Sequence, residues 1–166
     1  MMFILFCLTS VHAQNNTSLE LKIDSVNTAL KRLRADYDYL KCEYQLSTLK
    51  LNINVFINEL KIATDQIITN GYNNNYKDEL YEGFKMNHEE SLKSYESYKT
   101  LFWSTNSLVT TIIENQDFID NSIFYKQQVK LLQDIASTIE QGLKTAKVNL
   151  DYQKEVLGLY KRLKNL

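Results

Sequence analysis

Side chains that could carry out catalysis or bind a metal are few and widely spaced in this sequence. The chain holds two histidines and two cysteines, of which only His88 and Cys42 lie beyond the first stretch of the chain. A nucleophilic triad needs a base beside its nucleophile, and a zinc or di-iron site in a bundle needs several His, Cys or Glu ligands on facing helices. The sequence therefore predicts no catalytic residue and no metal site.

Glycines and paired carboxylates lead to the same prediction. The chain's four glycines stand apart from one another, whereas a phosphate-binding loop clusters glycines between a strand and a helix. Neighbouring carboxylates, such as Asp36 with Asp38 or Glu89 with Glu90, could do acid–base chemistry, but such pairs on one helix are typical of a solvated face. We expect a protein that is not an enzyme and that binds no cofactor.

His88 and Cys42 each leave two interpretations open. His88 lies in a stripe of aromatic residues, where it is either a pH switch or a hydrogen-bonded core histidine, and we favour the core histidine. Cys42 lies where two helical registers meet, so it is either an exposed thiol that pairs with another chain or a small buried residue. We favour burial and keep Cys42 as the candidate reactive thiol.

Residues 1–13 have the pattern of a secretory signal peptide. An apolar run from Phe3 to Leu8 precedes Val11 and Ala13, which occupy the −3 and −1 positions of a cleavage site. The run is short and no basic residue precedes it, which a start codon upstream of Met1 would explain. The alternative is an apolar terminus that packs on the domain. We expect cleavage and a periplasmic or secreted domain of residues 14–166, without a membrane-spanning segment.

Turn-forming residues are scarce, and this scarcity decides the fold class. The chain has 166 residues, four glycines and no proline, although ordinary usage is about 7% glycine and about 5% proline. Sandwiches, barrels and doubly wound sheets need frequent turns, so long helices are favoured. The net charge of −1 gives no field that would attract nucleic acid.

Apolar periodicity predicts three helices over approximately 18–69, 75–114 and 118–165. The first begins at the capping box Thr17 to Glu20 and ends at Asn70 and Gly71. Its heptad stripe, which we expect to be buried in the bundle, changes phase by two residues near 44–46. We expect a bend or a change of partner there. The first register comprises Ile23, Val26, Leu30, Leu33, Tyr37, Leu40 and Tyr44, and the second comprises Leu46, Leu49, Ile53, Phe56, Leu60, Ala63 and Ile67.

Residues 49–55 also alternate with period two, as a strand does, but a lone strand would have no partner, so we favour the helix. The other two helices carry stripes in the same steps of three and four. The second stripe comprises Tyr81, Phe84, His88, Ser91, Tyr95, Tyr98, Phe102, Thr105, Val109 and Ile112, and the third comprises Leu132, Ala136, Ile139, Leu143, Ala146, Leu150, Gln153, Leu157 and Tyr160. Because the breaks between the helices are short, the helices must fold back on one another. The predicted fold is an all-α, elongated, antiparallel up-down-up three-helix bundle of the coiled-coil type.

Aromatic residues concentrate near the predicted middle of this bundle. Antiparallel folding would bring together Tyr37, Tyr39, Tyr44, Tyr98, Phe102 and Trp103. Such a belt either fills the core and its edges or forms an interface with a protein partner. We name Trp103, Tyr98, Tyr37, Tyr39 and Tyr44 as candidate partner-binding residues.

The expected function is therefore that of an exported interaction protein that presents a helix face to a protein partner. One alternative is a self-assembling structural or chaperone-like coiled coil of the cell envelope, which makes a homo-oligomer. The other is an immunity-type antagonist of a toxin or of a secreted enzyme. None of the three requires nucleic acid.

Overall fold

The protein consists of three helices in the part of the chain that the structure describes. The computed structural model describes the backbone of residues 2–74, 77–114 and 123–164, with side chains from residues 18 and 125 onward in the first and third of these ranges. The helices are α1 (Met2–Asn73), α2 (Asp78–Glu114) and α3 (Ile123–Leu163). These ranges contain no strand, and residues 49–55 are helical. The all-α prediction is confirmed.

α1 begins earlier than predicted. The helix runs from Met2 through the proposed capping box. Thr17 and Glu20 therefore do not begin a helix in this structure, and that expectation was wrong. No proline or glycine precedes Gly71, so no helix-breaking residue interrupts the backbone hydrogen bonds before residue 17. Thr17 therefore has no free helix end to cap. The side chains of the predicted signal segment, residues 1–13, lie outside the described residues.

The end of α1 also lies a few residues beyond its predicted position. The helix continues through Gly71 to Asn73. The backbone N–H and the side-chain Nδ2 of Asn74 both donate to the Asn70 carbonyl, at 3.1 and 2.9 Å. The first bond continues the helical pattern by one residue, and the second adds a side-chain donor to the same carbonyl. The predicted starts of the second and third helices, residues 75 and 118, lie outside the described residues.

Contacts between the helices establish the up-down-up topology. Phe56 of α1 meets Tyr98 of α2 with ring centroids 5.4 Å apart, and Cys42 lies near Thr105, so α1 and α2 are antiparallel. His88 of α2 contacts Gln153 of α3, while Tyr81 meets Tyr160. These pairs make α2 and α3 antiparallel as well, and the predicted bundle is confirmed.

The core is built from one stripe of each helix, at the predicted positions. The second register of α1 packs against α3, where Ile53 lies beside Gly142. The stripe of α3 is buried along its whole predicted length, comprising Leu132, Ala136, Ile139, Leu143, Ala146, Leu150, Gln153, Leu157 and Tyr160. Buried side chains of α2 are His88, Tyr95, Phe102, Thr105 and Val109. Apolar burial on this scale is the main force that holds the bundle together.

Tyrosine hydroxyls connect α2 and α3 at both ends of the bundle. The Tyr125 hydroxyl donates to the Ile112 carbonyl at 2.8 Å, and the Tyr160 hydroxyl donates to the Lys77 carbonyl at 2.9 Å. Lys164 pairs with Asp78 beside the second of these bonds. The Tyr125 bond thereby supplies a donor to a carbonyl of the last turn of α2.

α1 is much longer than its two neighbours, and this difference leaves part of it outside the bundle. The register that sets Ile53 beside Gly142 places the start of α3 opposite residue 34 of α1. Every described side chain of residues 18–38 is exposed except the half-buried Ala35. The expectation that the first-register stripe packs within the bundle was therefore wrong. The bundle cannot cover it because α2 and α3 do not reach that far.

Candidate functional site

The most distinctive surface of the molecule is an apolar line along the projecting part of α1. We call residues 18–38 the arm. The arm stripe consists of eight large apolar residues at heptad spacing, which continue past the arm onto the first turns of the bundle. Its members are Leu19, Ile23, Val26, Leu30, Leu33, Tyr37, Leu40 and Tyr44, and they are between 51% and 73% exposed. A continuous exposed apolar surface is typical of an interaction site.

The arm stripe faces away from the bundle where the two overlap. Tyr44 and Leu46 are two residues apart, and each residue turns the helix by about 100°, so their side chains lie on nearly opposite faces. Leu46 is fully buried, together with Tyr39 and Cys42, while Leu40 and Tyr44 are exposed. A partner could therefore lie along the stripe up to Tyr44 without meeting α2 or α3. α1 has one buried face among the described residues, which begins at Tyr39 and continues through Cys42 and Leu46. The expected bend or change of partner near 44–46 stays a prediction.

The five predicted aromatic anchors do not form one belt. Tyr39 is buried, and Tyr98 is half-buried with its ring edge against Phe56. Trp103 is 57% exposed on α2, where its ring lies 5.3 Å from that of Phe102.

The remaining two anchors, Tyr37 and Tyr44, belong to the arm stripe. Within residues 18–74 and 77–114, no ring contact joins Trp103 to a tyrosine of α1. The structure thus separates the anchors into two core residues, two stripe residues and one exposed tryptophan. Their role in binding a partner stays a prediction.

Tyr39 marks the first turn at which α1 becomes part of the core. Its side chain is buried, and burial, followed by the neighbouring Glu43 carboxylate to which it hydrogen-bonds, raises the pKa of Tyr39 to about 12. The hydroxyl therefore stays protonated and donates to that carboxylate. Tyr39 supports the base of the arm from inside the bundle.

Cys42 is fully buried, as the favoured interpretation of the sequence expects. Its exposed fraction is 0%, and Sγ lies 3.9 Å from the Thr105 carbonyl. Burial raises the pKa of the thiol to about 11. A protonated and inaccessible thiol is a poor nucleophile, so the geometry disfavours Cys42 as a reactive thiol.

His88 and Gln153 form a polar pair inside the core. His88 Nδ1 lies 2.7 Å from Gln153 Oε1, and Gln153 is only 1% exposed. The amide oxygen accepts from the imidazole, so Nδ1 carries the proton in this arrangement. The geometry agrees with a hydrogen-bonded core histidine. Sequence reasoning placed Gln153 on the stripe of the third helix but did not identify it as the partner of His88.

Two further searches of the described residues bear on function. They contain no cluster of three or more His, Cys, Asp or Glu side chains placed to hold a metal ion. None of the helices described is long and apolar enough to cross a membrane. The arm stripe is thus the feature from which a function can be argued.

Comparisons with protein-family models, with curated proteins and with solved structures find no match for this chain. The function is therefore inferred from the chain's own geometry. Sequence reasoning identified every residue of the stripe between Ile23 and Tyr44 and expected the stripe to be buried, although it named Tyr37 and Tyr44 as candidate partner-binding residues. The two-residue change of phase was the signal that this part of α1 faces elsewhere.

Proposed function

We propose that the protein is an exported, non-enzymatic interaction protein that binds another protein through the arm stripe. The observation that carries this proposal is the exposure of eight large apolar side chains in a row on one helix. Leaving such a surface in water is unfavourable by roughly 25 cal/mol per Å² of apolar area. A partner that covers the stripe would recover this free energy.

The spacing of the stripe favours a helical partner. Apolar residues in alternating steps of three and four form the seam that a second helix fills with its own side chains. Tyr37 and Tyr44 offer a ring for packing and a hydroxyl for a hydrogen bond, which interfaces commonly use. The chain is near neutral, with a net charge of −1, so it has no overall positive field that would attract nucleic acid.

Export is the second part of this proposal, and it rests on the sequence of residues 1–13. Cleavage after Ala13 would leave Gln14 as the first residue, and the whole arm stripe would remain. Amino-terminal sequencing of the protein recovered from its native cell would test this. Gln14 at the amino terminus supports export, and an intact Met1 in the cell interior contradicts it.

The interaction itself is tested by removing the stripe while keeping the bundle. Leu30→Asp with Leu33→Asp places two charges in the arm, where neither leucine belongs to the bundle core. Leu21→Asp is the matched control, since Leu21 is also an exposed leucine of the arm, at 71%, but lies on the face of the helix opposite the stripe. Each tagged protein is crosslinked in its native cells and purified, and the bound proteins are quantified by mass spectrometry.

We expect the wild-type and control proteins to retain the same specific partner and the double variant to lose it by tenfold or more. Circular dichroism should show equal melting temperatures for the bundle in all three. Equal recovery of every bound protein by the double variant and the control would contradict the proposal.

A further inference from the structure

We propose that the partner of the arm stripe is the same stripe of a second copy of this chain, packed antiparallel to it. This inference rests on the proposed function and names the partner. Residues 19–44 span more than three heptads and would be roughly 39 Å long, which is sufficient for a coiled coil. The order of the residues along the stripe favours self-pairing.

The stripe is self-complementary when its direction is reversed. In heptad terms, Leu19, Val26, Leu33 and Leu40 are d residues, while Ile23, Leu30, Tyr37 and Tyr44 are a residues. An antiparallel register centred between residues 31 and 32 sets every a residue of one copy opposite a d residue of the other. The layers are Leu19 with Tyr44, Ile23 with Leu40, Val26 with Tyr37, and Leu30 with Leu33.

The sizes of the side chains match in this register. Both tyrosines meet an aliphatic residue, Tyr37 a valine and Tyr44 a leucine. Alternation of large and small side chains across an interface allows it to pack closely. All eight stripe residues of each copy find a place in the interface, and none is left without a partner layer.

The charged residues that flank the stripe are complementary in the same register. Glu20 faces Lys41 of the second copy, and Lys22 faces Glu43, and the two-fold symmetry repeats both pairs. Three of these four side chains are exposed and Glu43 is half-buried. The Glu43 carboxylate bonds the Tyr39 hydroxyl but has several acceptor sites and can also receive a lysine.

No flanking position brings like charges together in this arrangement. Arg34 faces Asn27 of the second copy, and Asp36 faces Ala29. Flanking charges select the partner and the orientation of a coiled coil. Here they favour the antiparallel pair.

A parallel pair fits the sequence less well. It would place Tyr37 against Tyr37, and Tyr44 against Tyr44, of the second copy. Asp36 and Lys41 would be the only flanking residues of opposite charge to face each other. The seam of a parallel pair would also continue beyond Tyr44 through Ser47 and Leu51 to the polar residues Asn54, Asn58 and Lys61. In the antiparallel pair the two bundles lie at opposite ends of the coiled coil. Each bundle packs on the face of its own α1 that points away from the second copy.

Charge reversal provides a test that distinguishes the two orientations. In the full chain, Glu20→Lys with Lys22→Glu reverses one end of the stripe, and Lys41→Glu with Glu43→Lys reverses the other. Each variant alone would set like charges opposite each other in an antiparallel pair. An equimolar mixture of the two restores attraction at every pair. Sedimentation equilibrium measures the dissociation constants.

We expect the wild-type chain to be a dimer at tens of micromolar, and each reversed variant to dissociate at a concentration tenfold or more higher. The mixture should regain the wild-type constant within about twofold. Leu30→Asp with Leu33→Asp should abolish the dimer, and Leu21→Asp should not. Because Glu43 also bonds Tyr39, Glu20→Lys and Lys41→Glu form a second matched pair of single variants if the variant with Glu43→Lys does not fold.

Other outcomes overturn the inference. A monomeric or trimeric wild-type chain would do so, as would a dimer that survives Leu30→Asp with Leu33→Asp. A dimer weakened only by reversal at 41 and 43 would indicate the parallel orientation. If the chain is monomeric but the stripe variant loses a different protein in native cells, self-pairing fails and the proposed function stands. If neither association occurs, both fail.

Discussion

His88 and Gln153 place a polar layer between α2 and α3 in a core that is otherwise mostly apolar. Their hydrogen bond of 2.7 Å satisfies both groups out of contact with water. A buried polar group without a partner costs about 1–3 kcal/mol. The pair therefore contributes to stability only while both members are present.

Replacing one member of this pair should destabilise the protein more than replacing both. His88→Leu leaves the Gln153 amide oxygen without its donor, and we expect a loss of about 1–3 kcal/mol in the free energy of unfolding. His88→Leu with Gln153→Leu should lose less, because no polar group is then left unpaired. Urea unfolding followed by circular dichroism measures both. An equal loss for the single and double variants would contradict this account of the pair.

Cys42 and Tyr39 should make the stability of the folded protein fall at high pH. Burial raises the pKa of Cys42 from 9.0 to about 11 and that of Tyr39 from 10.0 to about 12. Below pH 9 both groups are protonated in the folded and the unfolded chain. Between pH 9 and 11 the unfolded chain loses the thiol proton while the folded chain keeps it, so stability decreases.

The Cys42→Ala variant isolates the contribution of the thiol. In the wild type we expect this thiol to lower the free energy of unfolding by up to about 1.4 kcal/mol per pH unit above pH 9. The variant should be less stable at neutral pH because it leaves a cavity, but its decline between pH 9 and 11 should be shallower. Urea titrations across this range provide the measurement. Parallel pH curves would show that the thiol does not carry the effect.

At the scale of the elements, α1 and α3 approach closely at Gly142. A Cβ at this position would lie 2.8 Å from Ile53 Cγ2, a methyl group held next to its own backbone. Gly158 lies on the same helix, and a Cβ there would meet nothing within 4 Å. The two glycines therefore form a matched pair with opposite expectations.

Alanine at these two glycines should have opposite effects. Gly158→Ala should raise the free energy of unfolding by about 1 kcal/mol, since glycine is a poor helix former. Gly142→Ala gains the same propensity but must displace Ile53, and overpacking costs about 1–3 kcal/mol, so it should be the less stable of the two by that amount. Thermal unfolding compares them directly. Equal stabilisation by both substitutions would show that α1 and α3 accommodate the extra methyl group at residue 142 without loss of stability.

At the scale of the whole molecule, the bundle and the arm differ in how their helical structure is maintained. The core side chains of the bundle are buried from Tyr39 onward, and tertiary packing stabilises its helices. The arm has no such packing within the described residues. An isolated helix in water is only marginally stable, so the arm depends on whatever covers its stripe.

Amide hydrogen exchange should report this difference. We expect residues 18–34 to exchange faster than residues 46–67 in dilute solution, because opening the arm disrupts no core. Protection of the arm should rise with protein concentration as copies associate, while protection of 46–67 should not change. The Leu30→Asp with Leu33→Asp variant should remove the concentration dependence. Equal protection of both segments at all concentrations would contradict a free arm.

Most of the fold could be predicted from the sequence because the controlling features are local. Few turn residues and apolar steps of three and four require long amphipathic helices. Short breaks between the helices require antiparallel packing. The stripes of the second and third helices, and the second register of the first, were therefore assigned to the core correctly. Burial of Cys42 was also the favoured interpretation.

The site could not be predicted in the same way because burial is not local. The stripe from Ile23 to Tyr44 has the same spacing as the stripe from Leu46 to Ile67, so periodicity alone cannot distinguish them. Only the packed structure shows that the second is covered and the first exposed. The deciding quantities are the lengths of α2 and α3 and the register of α3 on α1, which depend on contacts between distant parts of the chain. The sequence by itself determined that α1 has two apolar faces, and the tertiary structure decided which one faces water.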